Sequence, residues 1–122
     1  MCIPRHEMPQ VDLEQIETLY EYCQHAGIPH FRGMFPISGL SKRQCADHFD
    51  PSRFHASNQD RPLIIARAGQ VLDGNHRLTD ALRRGLVEVD CILLWDTFED
   101  ARKRLLEMPG VYKVNTEGRR VP

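Results

Sequence analysis

The run Asp73-Gly74-Asn75-His76-Arg77 puts a carboxylate, a glycine, an amide, an imidazole and a guanidinium in five consecutive residues. Leu78, Ala81 and Leu82 follow at helical spacing and Gly85 supplies a stop, so the run is predicted to open a helix at Asn75. A helix N-terminus carries unpaired N–H groups and about half a positive charge, which suits an anion. His76 and Arg77 oppose that dipole in the first turn, and a phosphate bound there would offset the cost. Arg77 would grip two of its oxygens and His76 would add a hydrogen bond. Gly74 lets the backbone approach the ligand, and Asp73 is placed to hold a magnesium ion or to orient an attacking hydroxyl. A plainer reading stands beside this one: Asp73 as a helix cap, Gly74 as a turn residue, and Arg77 as the partner of Asp80 or Glu88.

The surrounding elements must position this corner. Leu63-Ile64-Ile65-Ala66 reads as a buried strand, Ala68-Gly69-Gln70 as a turn, and Val71-Leu72 as the returning arm of a hairpin. After the helix, Val87 to about Trp95 is a further strand with Val87, Val89, Cys91 and Leu93 on one side. Trp95 and Phe98 are expected to pack inward. Thr97 caps a last helix bearing Phe98, Ala101, Leu105 and Met108 on its inner face, ended by Pro109. Upstream, Asp12 with Gln15 starts a helix over residues 13–26, with Leu13, Ile16, Leu19, Tyr20 and Cys23 inward and Gly27 as its stop. Phe35 to Leu40 is a short extended piece. Ser41 opens a weaker helical stretch through about Phe54, interrupted by Pro51. The fold class expected is α/β (α+β): one small mixed sheet covered by helices, in a single domain over residues 1–122.

Composition narrows the function. The chain has 122 residues, 41% of them hydrophobic, enough for an ordinary core without staples. A formal charge of -1 argues against coating nucleic acid by bulk electrostatics. Arg83, Arg84, Arg102 to Arg104, Arg119 and Arg120 are expected to be solvated surface charges. No apolar run is long enough to span a membrane and Arg5 leaves no room for a signal peptide, so the expectation is a cytoplasmic protein without a membrane partner. Cys2, Cys23, Cys45 and Cys91 form no C-x-x-C pair and are expected to remain thiols. Cys45 and His48, with His55, fall short of a zinc site. His25 and His30 flank the turn at Gly27-Ile28-Pro29 and are expected to cap or to face solvent.

The stretch from Pro62 through Asp73-Gly74-Asn75-His76-Arg77 to Gly85, continued by Val87 to Leu94, resembles the core of the ParB/sulfiredoxin superfamily. There a strand hairpin runs into a D-G-[HN]-H-R or G-C-H-R box that opens a helix. Ile3-Pro4-Arg5-His6-Glu7-Met8-Pro9-Gln10 and Leu40-Ser41-Lys42-Arg43-Gln44 resemble two further segments of small phage ParB-like proteins. The resemblance implies nucleotide binding, with phosphates on the helix that starts at Asn75 and with Gly74, Asn75, His76, Arg77, Lys42 and Gln44 as binding residues. Sulfiredoxin chemistry needs a cysteine where this chain has Asn75. Segregation ParB proteins bind CTP and carry a DNA reader and a dimerisation tail, neither of which is expected in a chain of this length.

The box is most similar to the D-G-H-H-R version of the free-serine kinases. That likeness implies an ATP- and magnesium-dependent phosphotransferase acting on a hydroxyl, either of a small molecule or of a hydroxymethylated base in DNA. A host cytoplasm is implied if the phage likeness holds. The kinases' catalytic Glu falls at Arg43 or Gln44 here, so Asp47 and Glu7 are the substitute bases, beside Asp73 and His76. A metal-dependent nuclease using Asp73 and His76, or a nucleotide-binding module without catalysis, are the alternatives.

Overall fold

Leu63–Ala66 (β4) is buried at all four positions, as expected for a strand covered on both faces. In the computed structural model, which describes residues 2–45 and 61–121, this strand is the middle of a five-stranded sheet. Gln70–Asp73 (β5) returns beside it as the antiparallel arm of the expected hairpin, and Glu88–Leu94 (β6) lies parallel on its other side. The predicted helix between them forms over Asn75–Arg83 (α2), with Leu78 and Ala81 buried. Outside β6 lies His30–Pro36 (β2), antiparallel over seven residue pairs. Outside β5 lies Ser41–Lys42 (β3), parallel to it.

Alternation along these strands divides the core. Ile64, Ala66, Leu72, Ile92 and Leu94 face one side. There they meet Ile16, Leu19 and Cys23 from the helix Ile16–Ala26 (α1) and Phe98, Ala101 and Leu105 from Phe98–Leu106 (α3). Leu63, Ile65, Val71, Cys91 and Leu93 face the other side, where α2 supplies Leu78 and Ala81. Two expected caps are present: Gly27 ends α1 at φ 68, and Thr97 Oγ1 accepts from Asp100 N at 3.3 Å at the start of α3.

Several expectations change. Ser41 opens a strand rather than a helix. Its N–H donates to Gly69 O at 3.0 Å, and this long-range ladder overrides local propensity. The rest of that expected stretch, with Pro51 and Asp47, lies outside the described residues. Phe35 and Pro36 close the longer strand β2, and Ile37–Gly39 is a 3-10 turn. Strand β6 starts at Glu88, leaving Val87 79% exposed, and its last four residues are buried because the cores on both faces of the sheet cover them, Ile92 and Leu94 on one side and Cys91 and Leu93 on the other. Trp95 lies past the end of β6 and is 58% exposed, with the Arg67 guanidinium over its ring; only Phe98 packs inward.

Gln10–Val11 (β1), Val111–Val114 (β7) and Arg120–Val121 (β8) form a second sheet that the sequence reading lacked. The Asp12 side chain serves that sheet instead of capping α1: it accepts from Tyr112 Oη at 3.2 Å and from Arg120 Nη2 at 2.9 Å. Cys2 and Cys45 are joined in a disulfide rather than left as thiols. Ile3 N donates to Arg43 O and Cys45 N to Ile3 O, and this pairing of distant segments brings the two cysteines together. Cys23 and Cys91 are buried free thiols.

Candidate functional site

Strand β5 delivers its last residue, Asp73, into the interior, and Gly74 turns the chain into α2 at φ 108. A Cβ at Gly74 would stand 2.4 Å from Leu63 Cδ2 and 2.8 Å from Arg77 Nη2. Only glycine therefore meets both the left-handed backbone and the close approach to β4. Gly74, at the N-cap position, brings no side chain to cap α2. His76 lies in this turn, half-buried.

Arg77 is turned inward. Its Nη2 donates to Asp73 Oδ2 at 3.0 Å and to Pro62 O at 3.1 Å, and the two side chains are only 9% and 11% exposed. The partner is Asp73, neither Asp80 nor Glu88, because i,i+4 spacing from the strand end to the first helical turn brings them together. Arg77 thus braces the turn from beneath rather than reaching outward as a phosphate grip, although its Nε is buried without a partner.

The outward wall comes from β3 and the residues after it. The Lys42 ammonium donates to Thr79 Oγ1, and Thr79 Oγ1 bonds Asn75 O at 3.0 Å. Gln44 Oε1 accepts from Asn75 Nδ2 at 3.2 Å, while Asn75 Oδ1 is buried with no partner. Between them Arg43 points the other way, its guanidinium 5.0 Å from the Phe98 ring centroid. This alternation belongs to extended chain: side chains two apart share a face in a strand and diverge in a helix. The strand that replaced the expected helix is what aims Lys42 and Gln44 together at α2. Partial desolvation of the Lys42 ammonium, which is still exposed in part, lowers its pKa from the ordinary 10.5.

Seven of the nine residues singled out in the sequence therefore gather around one turn: Asp73, Gly74, Asn75, His76, Arg77, Lys42 and Gln44. Glu7 is elsewhere. It is exposed in the 3-10 turn Arg5–Glu7, and its carbonyl accepts from Arg102 Nη1 at 2.7 Å on α3. Asp47 lies outside the described residues. Thr79 was not singled out, yet its place one turn after Asn75 was a usable signal, since residues four apart on a helix are neighbours.

Asp73 fits poorly as a magnesium ligand, because its carboxylate is buried and already paired with a guanidinium. Among the described residues, no group of three or more His, Cys, Asp or Glu is placed to hold a metal. No helix among them is long and apolar enough to cross a membrane. No family model matches the chain, and no curated protein or solved structure matches it either.

Proposed function

We propose that this corner binds the phosphates of a nucleotide, ATP in the primary reading, and passes the terminal phosphoryl group to a hydroxyl acceptor. The observation that carries the reading is the convergence of Lys42 and Gln44 on Asn75 and Thr79, at a helix start that Gly74 opens. N–H groups at the helix start would receive phosphate oxygens, Lys42 would neutralise their charge, and Asn75 with Gln44 would orient them. The likeness of Asp73 to Arg77 to the kinase box supports the same assignment.

Phosphoryl transfer needs mainly positioning and charge neutralisation. The acceptor oxygen would form a bond to the γ-phosphorus as the bond to the ADP oxygen breaks, and the hydroxyl proton would leave to a carboxylate or to solvent. Asp73 is committed to Arg77, so we assign it to bracing the turn and route neither that proton nor a metal through it. Magnesium belongs to this proposal only as a companion of the nucleotide.

That commitment of Asp73 also favours a second reading, a nucleotide-binding module that transfers nothing. It lends no support to a nuclease built on Asp73 and His76. A small acceptor suits the near-neutral charge better than a DNA base does. A cytoplasmic setting is part of the proposal, although the Cys2–Cys45 bond would persist more readily in an oxidising compartment.

Isothermal calorimetry with ATP, ADP and CTP in the presence of magnesium, on wild type and Lys42→Ala, tests the binding. Affinity that falls about tenfold or more in the variant supports the corner, and absence of binding by wild type overturns it. Release of ADP that depends on an added hydroxyl compound separates the enzyme from the binding module.

A further inference from the structure

The β3 flank of α2 carries an open groove of about 780 Å³ that meets the phosphate corner at Lys42. Lys42, Leu40, Leu78, Leu82, Leu86 and Val87 line it. Leu82, Leu86 and Val87 are 53%, 40% and 79% exposed, so three aliphatic side chains of one patch face water together. Isolated exposed leucines are ordinary; a contiguous apolar groove with a polar rim marks a binding site.

Charge decides what the groove suits. Its Lys42 end meets Thr79, one turn from Asn75 and the positive start of the helix. The far end passes beyond the last turn of α2 to Val87 and Glu88. A fitting occupant has an anionic head and a flat or apolar body.

We infer that this groove receives the sugar and the base of the nucleotide, with the chain of phosphates leaving it past Lys42 toward Asn75. The inference rests on the proposed phosphate corner and adds the location of the nucleoside to it. Leu78 and Leu82, one turn apart on α2, form one apolar wall, and Leu40 and Val87 form the other. Neither Arg77 nor Asp73 takes part, since both are on the inner side of the helix start.

Calorimetry with ATP and with inorganic tripolyphosphate separates the two ideas. Wild type is expected to bind ATP about tenfold or more tightly than tripolyphosphate. Leu82→Asp and Val87→Asp, at exposed positions where folding is verified by circular dichroism, are expected to bring ATP affinity down to that of tripolyphosphate while leaving the latter unchanged. Equal affinity for the two ligands in wild type, or ATP affinity unmoved by both variants, overturns the groove assignment and leaves the phosphate corner standing. No binding of either ligand overturns the corner, and the groove assignment with it.

Discussion

The two flanks of α2 serve opposite ends. On the flank toward β6, Arg77, Asp80 and Arg84 border a cavity of about 230 Å³ with Arg61. Here the charged groups address one another: Arg77 holds Asp73 at 3.0 Å, and Arg84 lies 3.6 Å from Asp80. On the flank toward β3, Thr79, Leu78 and Leu82 meet Lys42 beside an open apolar groove. The inner flank pairs Arg77 with Asp73 and Arg84 with Asp80, even though Arg77 Nε and Asp80 Oδ2 keep no hydrogen-bond partner, whereas the outer flank sets the Lys42 ammonium on Thr79 beside exposed aliphatic surface. Stability should therefore depend on the first flank and ligand binding on the second.

The sharpest way to break this division is Asp73→Ala. Removing one partner of a buried ion pair leaves the other charge uncompensated, and a loss of about 3–5 kcal/mol is expected in urea unfolding. A loss below about 1 kcal/mol, the level of a surface pair, would show that Asp73 does not brace the fold.

Next in size is the tether of the outer wall. The Cys2–Cys45 disulfide closes a span of 43 residues and fixes Cys45 beside Gln44. Cys45→Ser should cost about 2–4 kcal/mol in the oxidised protein and loosen the contact of Gln44 with Asn75. The matching thermal scan of wild type with and without dithiothreitol should show a lower Tm on reduction. A Tm indifferent to the reductant would mean that the bond contributes nothing to the fold. Cys91, whose thiol is pushed up to about 12 by burial in the α2-side core, should resist labelling until the chain unfolds.

The smallest effect on stability belongs to Lys42, which sits on the outer flank. Its folded pKa is below its ordinary 10.5, so between those two values the unfolded chain holds more protons and stability rises with pH. Over the same window the cationic donor disappears, and nucleotide affinity should fall at a lower pH than for an ordinary lysine. Lys42→Arg, which stays charged, should abolish that fall. An affinity profile identical in the two proteins would remove Lys42 from the site.

The parts of this arrangement that the sequence disclosed are those written in local spacing. The hairpin Leu63 to Asp73, the helix from Asn75 and the cap at Thr97 follow from short apolar runs, turn residues and periodicity. What stayed hidden depends on partners distant in the chain. Ser41 and Lys42 are a strand because Gln70 and Val71 lie beside them. Cys2 meets Cys45 because Ile3 pairs with the segment around Gln44. The second sheet joins Gln10 and Val11 to the C-terminal hairpin. Arg77 was legible as a functional candidate by its type, yet its inward direction was not, since that depends on the Pro62 carbonyl and on Gly74 admitting the guanidinium.

The central claim is that phosphates sit on the outer side of the α2 start. Titration of ¹⁵N-labelled protein with ATP and magnesium, followed by backbone amide shifts, reads that position directly. The account predicts the largest shifts at Asn75, His76 and Arg77, joined by Lys42 and Gln44, with the amides of α1 and α3 unmoved. Shifts concentrated on α1, α3 or the second sheet, or no shifts at all, would contradict it.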